Sequence, residues 1–194
     1  MRSVVIWCLF TLSIGLPIAL ATTSPFLAYR QPIYVTADFS GVMGLALLVT
    51  QPLLAMGVLP GLKRPAGRRV HRWTGVALLM VVALHIIGLW ITSPPDVIDV
   101  LLVRSPTPFS IWGLAAMWAL AVAAALVIFR RRLRLRASTW SGAHLLVVSI
   151  AVVGTVVHAL RIEGTMETVS KTILGVLAVA ATAFAWYTRF WKSP

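Results

Sequence analysis

Four histidines, the only ones in the chain, form two equally spaced pairs. His71 and His85 stand at the ends of one apolar run, and His144 and His158 stand at the ends of a second run with the same fourteen-residue spacing. On an α-helix, fourteen steps of about 100° return to within about 40° of the starting direction. At about 1.5 Å per residue, the same steps separate the two rings by about 21 Å. Each pair therefore lies on one face of a helix, at two depths.

Neutral imidazole is a ligand for iron, zinc or copper. A lone histidine in a membrane helix is more often a polar residue hydrogen-bonded within the bundle. Two equal pairs with no histidine elsewhere favour ligands, because polar groups at membrane depth are costly and usually functional. Zinc sites usually take three or four protein ligands, and no thiolate or carboxylate is expected at these depths. Haem needs only two axial histidines, so the pattern predicts two haems.

The composition predicts an integral membrane protein. The chain has 194 residues, of which 59% are hydrophobic and 11% charged, and its apolar runs are long enough to cross a bilayer. We predict an all-α fold, a single transmembrane haem-binding domain over residues 1–194. Its six predicted spans are residues 4–21, 40–59, 71–91, 109–129, 139–160 and 172–188. A cleaved secretory signal is the alternative for the first span. Residues 97–103 are predicted to form a short helix on the membrane surface.

Charge asymmetry predicts the orientation. One set of loops carries most of the bases: Arg2, Lys63, Arg64, Arg68, Arg69, Arg72, the five arginines of residues 130–136, Arg189 and Lys192. Because such loops remain in the cytoplasm, both termini are predicted to be cytoplasmic in a multi-pass protein of the inner or plasma membrane. All five acids fall outside the spans on the opposite side. Topology and lipid headgroups explain the net charge of +12 without a nucleic-acid partner.

The third and fifth spans then run in the same direction. His71 shares one level with His144, and His85 shares the other with His158, so two stacked haems are predicted between these helices. Gly75 and Gly154 lie on the histidine faces and leave room for a flat ring. Propionate partners are expected among the bases, namely Arg72 with Arg68 and Arg69 on the cytoplasmic side, and Arg161, Lys171 or Arg30 on the other. Without a CxxCH motif the haems are b-type and non-covalent.

These residues resemble the ferric reductase-like transmembrane domain, the family of ferric reductases, NADPH oxidases and the haem subunit of the periplasmic methionine sulfoxide reductase system. The resemblance rests on His71-Arg72, on His85 on the same face, and on the AHLL…H pattern from Ala143 to His158. It implies a di-haem helix bundle over most of the chain. The chain differs from the oxidases and the eukaryotic reductases because it lacks fused FAD and NADPH domains.

The sequence accordingly predicts a membrane b-type cytochrome that carries electrons across the bilayer to an external acceptor. No GxGxxG or P-loop motif is present, so no flavin or nicotinamide site is expected in this chain. The chain is therefore expected to be the membrane haem component of an oxidoreductase, supplied by a separate flavoprotein or by quinol. Two alternatives remain at this stage: a quinol-reactive cytochrome b subunit of a larger complex, and a non-redox, histidine-lined transporter.

Overall fold

A computed structural model of the protein describes residues 2–191, and its regular elements within that range are all helical. The α-helices are α1 (Arg2–Ala21), α2 (Pro32–Met56), α3 (Arg64–Thr92), α4 (Pro94–Leu101), α5 (Ser110–Ile128), α6 (Arg130–Leu133), α7 (Ala137–Arg161) and α8 (Thr168–Trp191). All except α4 and α6 are long and apolar enough to cross a membrane. The predicted all-α fold with six membrane-spanning helices is confirmed. Lys192, assigned above to the cytoplasmic side, lies outside the described residues.

The helix α2 is at the centre of the bundle. Half of its most apolar segment is buried inside the protein, and it packs against α1, α3, α7 and α8. By contrast, only 11% of the corresponding segments of α1 and α3 is buried. The exposed apolar side chains of α1 and α3 are those expected on a lipid-facing surface, because lipid tails solvate them as well as a protein core does.

Two antiparallel hairpins, α2–α3 and α5–α7, are the most closely packed helix pairs. Glycines permit this approach: a Cβ atom at Gly88 would lie 2.7 Å from the Cβ of Ala37, and one at Gly154 would lie 2.8 Å from the carbonyl oxygen of Trp112. The helix α8 contacts both α2 and α7 and so joins the hairpins. Within the described residues, α3 and α7 have no extensive contact with each other.

The bundle has two chemically distinct ends. The basic end carries the α2–α3 turn and the arginine-rich α5–α7 connection, and the acidic end carries the α3–α5 and α7–α8 connections. His71 and His144 lie near the basic end, as the starts of α3 and α7 require, and His85 and His158 lie near the acidic end. The helices α3 and α7 therefore run in the same direction.

Three local predictions need correction. The helix α3 begins at Arg64, seven residues before the predicted span, so Arg64, Arg68 and Arg69 lie in its first turns and not in a loop. The helix α2 begins at Pro32, eight residues before the predicted span, because proline suits the first turn of a helix. Asp38 therefore lies within α2 and not in a loop outside the spans. The short helix predicted at residues 97–103 begins at Pro94 for the same reason, and it ends at Leu101. Val103 has a φ of 57° and cannot extend it.

Candidate functional site

His85 and His158 line the same cavity, which lies between α3 and α7 at the acidic end and has a volume of about 460 Å³. This volume falls in the usual range for small-molecule and cofactor sites. Its deep wall is apolar and includes Leu48, Leu78 and Leu120. The cavity therefore extends from the polar end of the bundle towards the middle of the membrane.

The imidazoles of three histidines are fixed by backbone carbonyl groups of the neighbouring helix. The Nδ1–H of His85 donates to Ala37 O (2.7 Å), that of His158 to Phe109 O (2.9 Å), and that of His71 to Gln51 O (3.1 Å). A carbonyl oxygen can only accept, so Nδ1 must carry the proton in each ring. The lone pair is then on Nε2, which is the arrangement found in metal-ligating histidines.

The acceptor positions repeat the histidine spacing. Gln51 lies fourteen residues after Ala37 in α2, just as His71 lies fourteen residues before His85 in the antiparallel α3. One helix–helix register therefore supplies a carbonyl acceptor for both histidines of α3. In the second hairpin, the carbonyl group of Phe109, the residue that precedes α5, accepts from His158.

Glycines make room for the rings at the acidic end. A Cβ atom at Gly41 would lie 3.1 Å from Nδ1 of His85, and one at Gly113 would lie 2.7 Å from Nδ1 of His158. Each glycine is four residues beyond the carbonyl acceptor of the same histidine, one helical turn along the same face. The carbonyl and the glycine thus form a matched cradle for the imidazole in each hairpin.

At the basic end, the surroundings of His71 and His144 differ. Gln51, whose carbonyl accepts from His71, is buried, and its side-chain amide donates to Thr74 Oγ1 at 2.7 Å. His144 instead stacks on Trp140, with ring centroids 5.2 Å apart and planes 6° from parallel. Its Nδ1 is buried and has no hydrogen-bond partner within residues 2–191.

The accessory residues predicted from the sequence lie in varied places. Arg72 is exposed in the third turn of α3. Gly75 lies beside the Gln51 side chain, since a Cβ atom at Gly75 would be 3.6 Å from Oε1 of Gln51. Gly154 faces α5, where it permits close helix packing, and does not line the cavity. The sequence did not predict the carbonyl acceptors Ala37, Gln51 and Phe109, because every residue has a backbone carbonyl group. It also did not predict the roles of Gly41 and Gly113, because the ring that each glycine faces depends on how the helices pack.

Three bases were predicted as propionate partners at the acidic end, and only one of them lines the cavity. Lys171 lines the cavity, is 8% exposed, and donates from Nζ to Ile162 O at 2.5 Å. Arg161 is exposed and does not line it, and Arg30 lies over the ring of Tyr34 at 4.7 Å. Asp38 also lines the mouth and accepts from Thr165 Oγ1 at 2.6 Å. Lys171 is thus the base best placed for an anionic group in the cavity.

The short helix α4 covers the mouth of this cavity. Its apolar residues Val97, Val100 and Leu101 line the cavity wall, and so do Ser105 and Thr107 of the segment that follows. The apolar side of α4 therefore faces the interior of the protein, which gives a reason for its amphipathic sequence other than contact with the membrane surface.

The residues present fit haem better than a bare metal ion. Within residues 2–191, no group of three or more His, Cys, Asp or Glu side chains is assembled to hold an ion. Each layer offers two imidazoles, which is the number of axial ligands that haem iron needs when the macrocycle supplies four nitrogens. The apolar cavity wall and the glycine cradles also suit a flat, hydrophobic group.

Comparison with known families agrees with this chemistry. Residues 40–155 match the family described as ferric reductase like transmembrane component, and the chain belongs to this family. The match includes His71, His85 and His144 and ends three residues before His158. Membership makes the chain a membrane redox component in general terms. No curated protein and no solved structure gives a match to the chain.

Proposed function

We propose that the chain is a membrane b-type cytochrome that transfers electrons across the bilayer from a donor at its basic end to an acceptor at its acidic end. The observation that carries this proposal is the set of three Nδ1–H to carbonyl hydrogen bonds of His71, His85 and His158. A histidine that only needs to be satisfied within a bundle can use either nitrogen. All three use Nδ1, which keeps Nε2 available as a ligand atom.

His71 and His144 would hold one haem, and His85 and His158 would hold the second. Haem iron, alternating between its ferric and ferrous states, supplies the electron-carrying chemistry when it is bound. The carbonyl groups of α2 and α5 orient the rings and increase their electron donation. Leu48, Leu78 and Leu120 keep water from the deep part of the cavity, and Lys171 offers a cation near its mouth.

The basic end is proposed to face the cytoplasm, because lysine and arginine are retained on that side of a membrane. The donor would be a separate flavoprotein or membrane quinol, and the acceptor would be external. One histidine of α3 and one of α7 would hold each haem, and an iron held by two imidazoles would favour electron transfer over binding of a substrate to the metal. The chain would then act as the membrane haem component of an oxidoreductase.

Absorption spectroscopy of the purified full-length protein tests the proposal. We expect about two non-covalent haems per chain by pyridine haemochrome analysis and a six-coordinate, low-spin spectrum in both the oxidised and the dithionite-reduced state. A colourless protein would contradict the proposal. A high-spin spectrum with rapid carbon monoxide binding would also contradict it, because one axial position would then be open.

A further inference from the structure

His144 is held differently from the other three histidines. The register that pairs His158 with Phe109 would pair His144 with the carbonyl group of Ala123, fourteen residues further along α5. The Nδ1 atom of His144 is nevertheless buried without a partner within residues 2–191. One of four equivalent hydrogen bonds is therefore missing.

The residue four positions beyond each acceptor also differs for His144. This residue is Gly41 for His85, Gly113 for His158 and Ala55 for His71. For His144 the same register gives Val127, whose branched side chain needs much more space beside the helix than glycine or alanine does. The imidazole of His144 thus lacks the carbonyl-and-glycine cradle that holds His85 and His158.

Trp140 provides another support for the His144 ring. Its indole lies parallel to the imidazole one helical turn away, at 5.2 Å between centroids. The indole is itself fixed on both sides: Nε1–H donates to Leu126 O at 2.9 Å, and the Arg130 guanidinium lies 4.4 Å above the ring. Stacking of this kind sets the orientation of the imidazole plane without giving Nδ1–H an acceptor.

We propose that Trp140 is a positioning residue for His144, and that His144 is the weakly held, exchangeable axial ligand of the basic-end haem. This inference rests on the function proposed above. An imidazole whose second nitrogen donates to an acceptor binds metal more tightly, and loss of such an acceptor typically costs about 10- to 100-fold in affinity. The basic-end haem, held by His71 and His144, is therefore the one that leaves first.

Transfer of haem from the detergent-solubilised holoprotein to excess apomyoglobin measures this difference. We expect two kinetic phases, the faster at least about tenfold quicker than the slower. The variant His71→Ala, which retains only the acidic-end haem, should show the slow phase alone and so assign the fast phase to the basic end.

Four variants then test the role of Trp140. Trp140→Leu should accelerate the fast phase by about three- to tenfold, the value of one aromatic stacking contact, and leave the slow phase unchanged. Trp140→Phe keeps a stacking ring and should stay close to the wild type. Trp118→Leu removes an exposed tryptophan of α5 and should change neither phase. Val127→Ala should slow the fast phase, because it gives His144 the neighbour that His71 has.

Electron paramagnetic resonance separates positioning from general stability. The low-spin signal of a bis-histidine haem depends on the orientation of the imidazole planes, so Trp140→Leu should shift the basic-end signal and leave the acidic-end signal unchanged. Loss of both wild-type haems in one phase would overturn the inference, as would equal rates for Trp140→Leu and Trp118→Leu. If Trp140→Leu does not accumulate, an unchanged fast phase in Val127→Ala overturns it. A wild-type protein without haem would overturn the proposed function itself.

Discussion

Gly113 and the imidazole of His158 are in such close contact that no side chain fits between them. A Cβ atom at Gly113 would lie 2.7 Å from Nδ1 and 2.8 Å from Cε1 of the ring. The carbonyl group of Phe109, one turn earlier at the N-terminus of α5, accepts the hydrogen bond from the same ring. The identity of one residue on α5 therefore decides whether a histidine on α7 can be held in place.

Substitution of this glycine should remove one haem and spare the other. We expect Gly113→Ala to displace His158 and to lower the haem content from about two to about one per chain, measured by pyridine haemochrome analysis. Gly41→Ala should have a weaker effect, because the corresponding distance to His85 is 3.1 Å.

The matched control is Gly15→Ala, since a Cβ atom there would have no neighbour within 4 Å. Alanine is the better helix former by about 1 kcal/mol, so a glycine without a packing role should tolerate the change. If Gly113→Ala retains both haems, the cradle is not needed for ligation.

Single histidine substitutions should fall into two phenotypes. His71→Ala and His144→Ala should both lose the basic-end haem, and His85→Ala and His158→Ala should both lose the acidic-end haem. Redox titration distinguishes the two haems, because charge and exposure differ at the two ends of the bundle. Matching behaviour of His71→Ala and His158→Ala would mean that α3 and α7 are antiparallel, and haem retention in all four variants would exclude these ligands.

The charge of Lys171 should affect only one haem. Lys171→Met removes a buried cation from the mouth of the acidic-end cavity, and a nearby positive charge favours the reduced iron. We therefore expect the midpoint potential of the acidic-end haem to fall and that of the basic-end haem to stay constant. Arg161→Met is the control, because Arg161 is exposed and does not line the cavity. Equal shifts in both variants would contradict a specific role for Lys171.

The orientation in the membrane can be tested with reporter fusions. A reporter fused after Pro194 should be active only in a form that works in the cytoplasm, and one inserted near Pro95 only in a form that works outside. The physical reason is the concentration of lysine and arginine at one end of the bundle, in the α2–α3 turn with the first turns of α3 and in the α5–α7 connection. The opposite pattern would reverse the proposed direction of electron transfer.

The sequence predicted the bundle because membrane helices must satisfy their backbone groups internally and therefore appear as long apolar runs. The layers of His71 with His144 and of His85 with His158 were predicted from helical periodicity and from the parallel direction of the third and fifth spans. The positions of Ala37 and Phe109 did not, since any residue can present a carbonyl group and its use depends on helix–helix register. Gly41 and Gly113 were visible as glycines, but only the packed structure shows which ring each one faces.

The fourth hydrogen bond could not be predicted for a related reason. The equal spacing of the histidines suggests four equivalent ligands, whereas Nδ1 of His144 has no hydrogen-bond partner within residues 2–191. Gly154 illustrates the converse, because it lies near His158 in sequence but packs against Trp112 and Ala116. Side-chain direction, and not sequence distance, decides which glycines serve the cavity.

The two hairpins are near copies of one another. In each, a carbonyl acceptor is followed after four residues by a glycine, and the acidic-end histidine follows its acceptor after 48 residues in one hairpin and 49 in the other. Such parallel repeats are related by an axis along the membrane normal. The two hairpins differ at the basic end, where Val127 stands in the position of Ala55 and Trp140 in the position of Gly67.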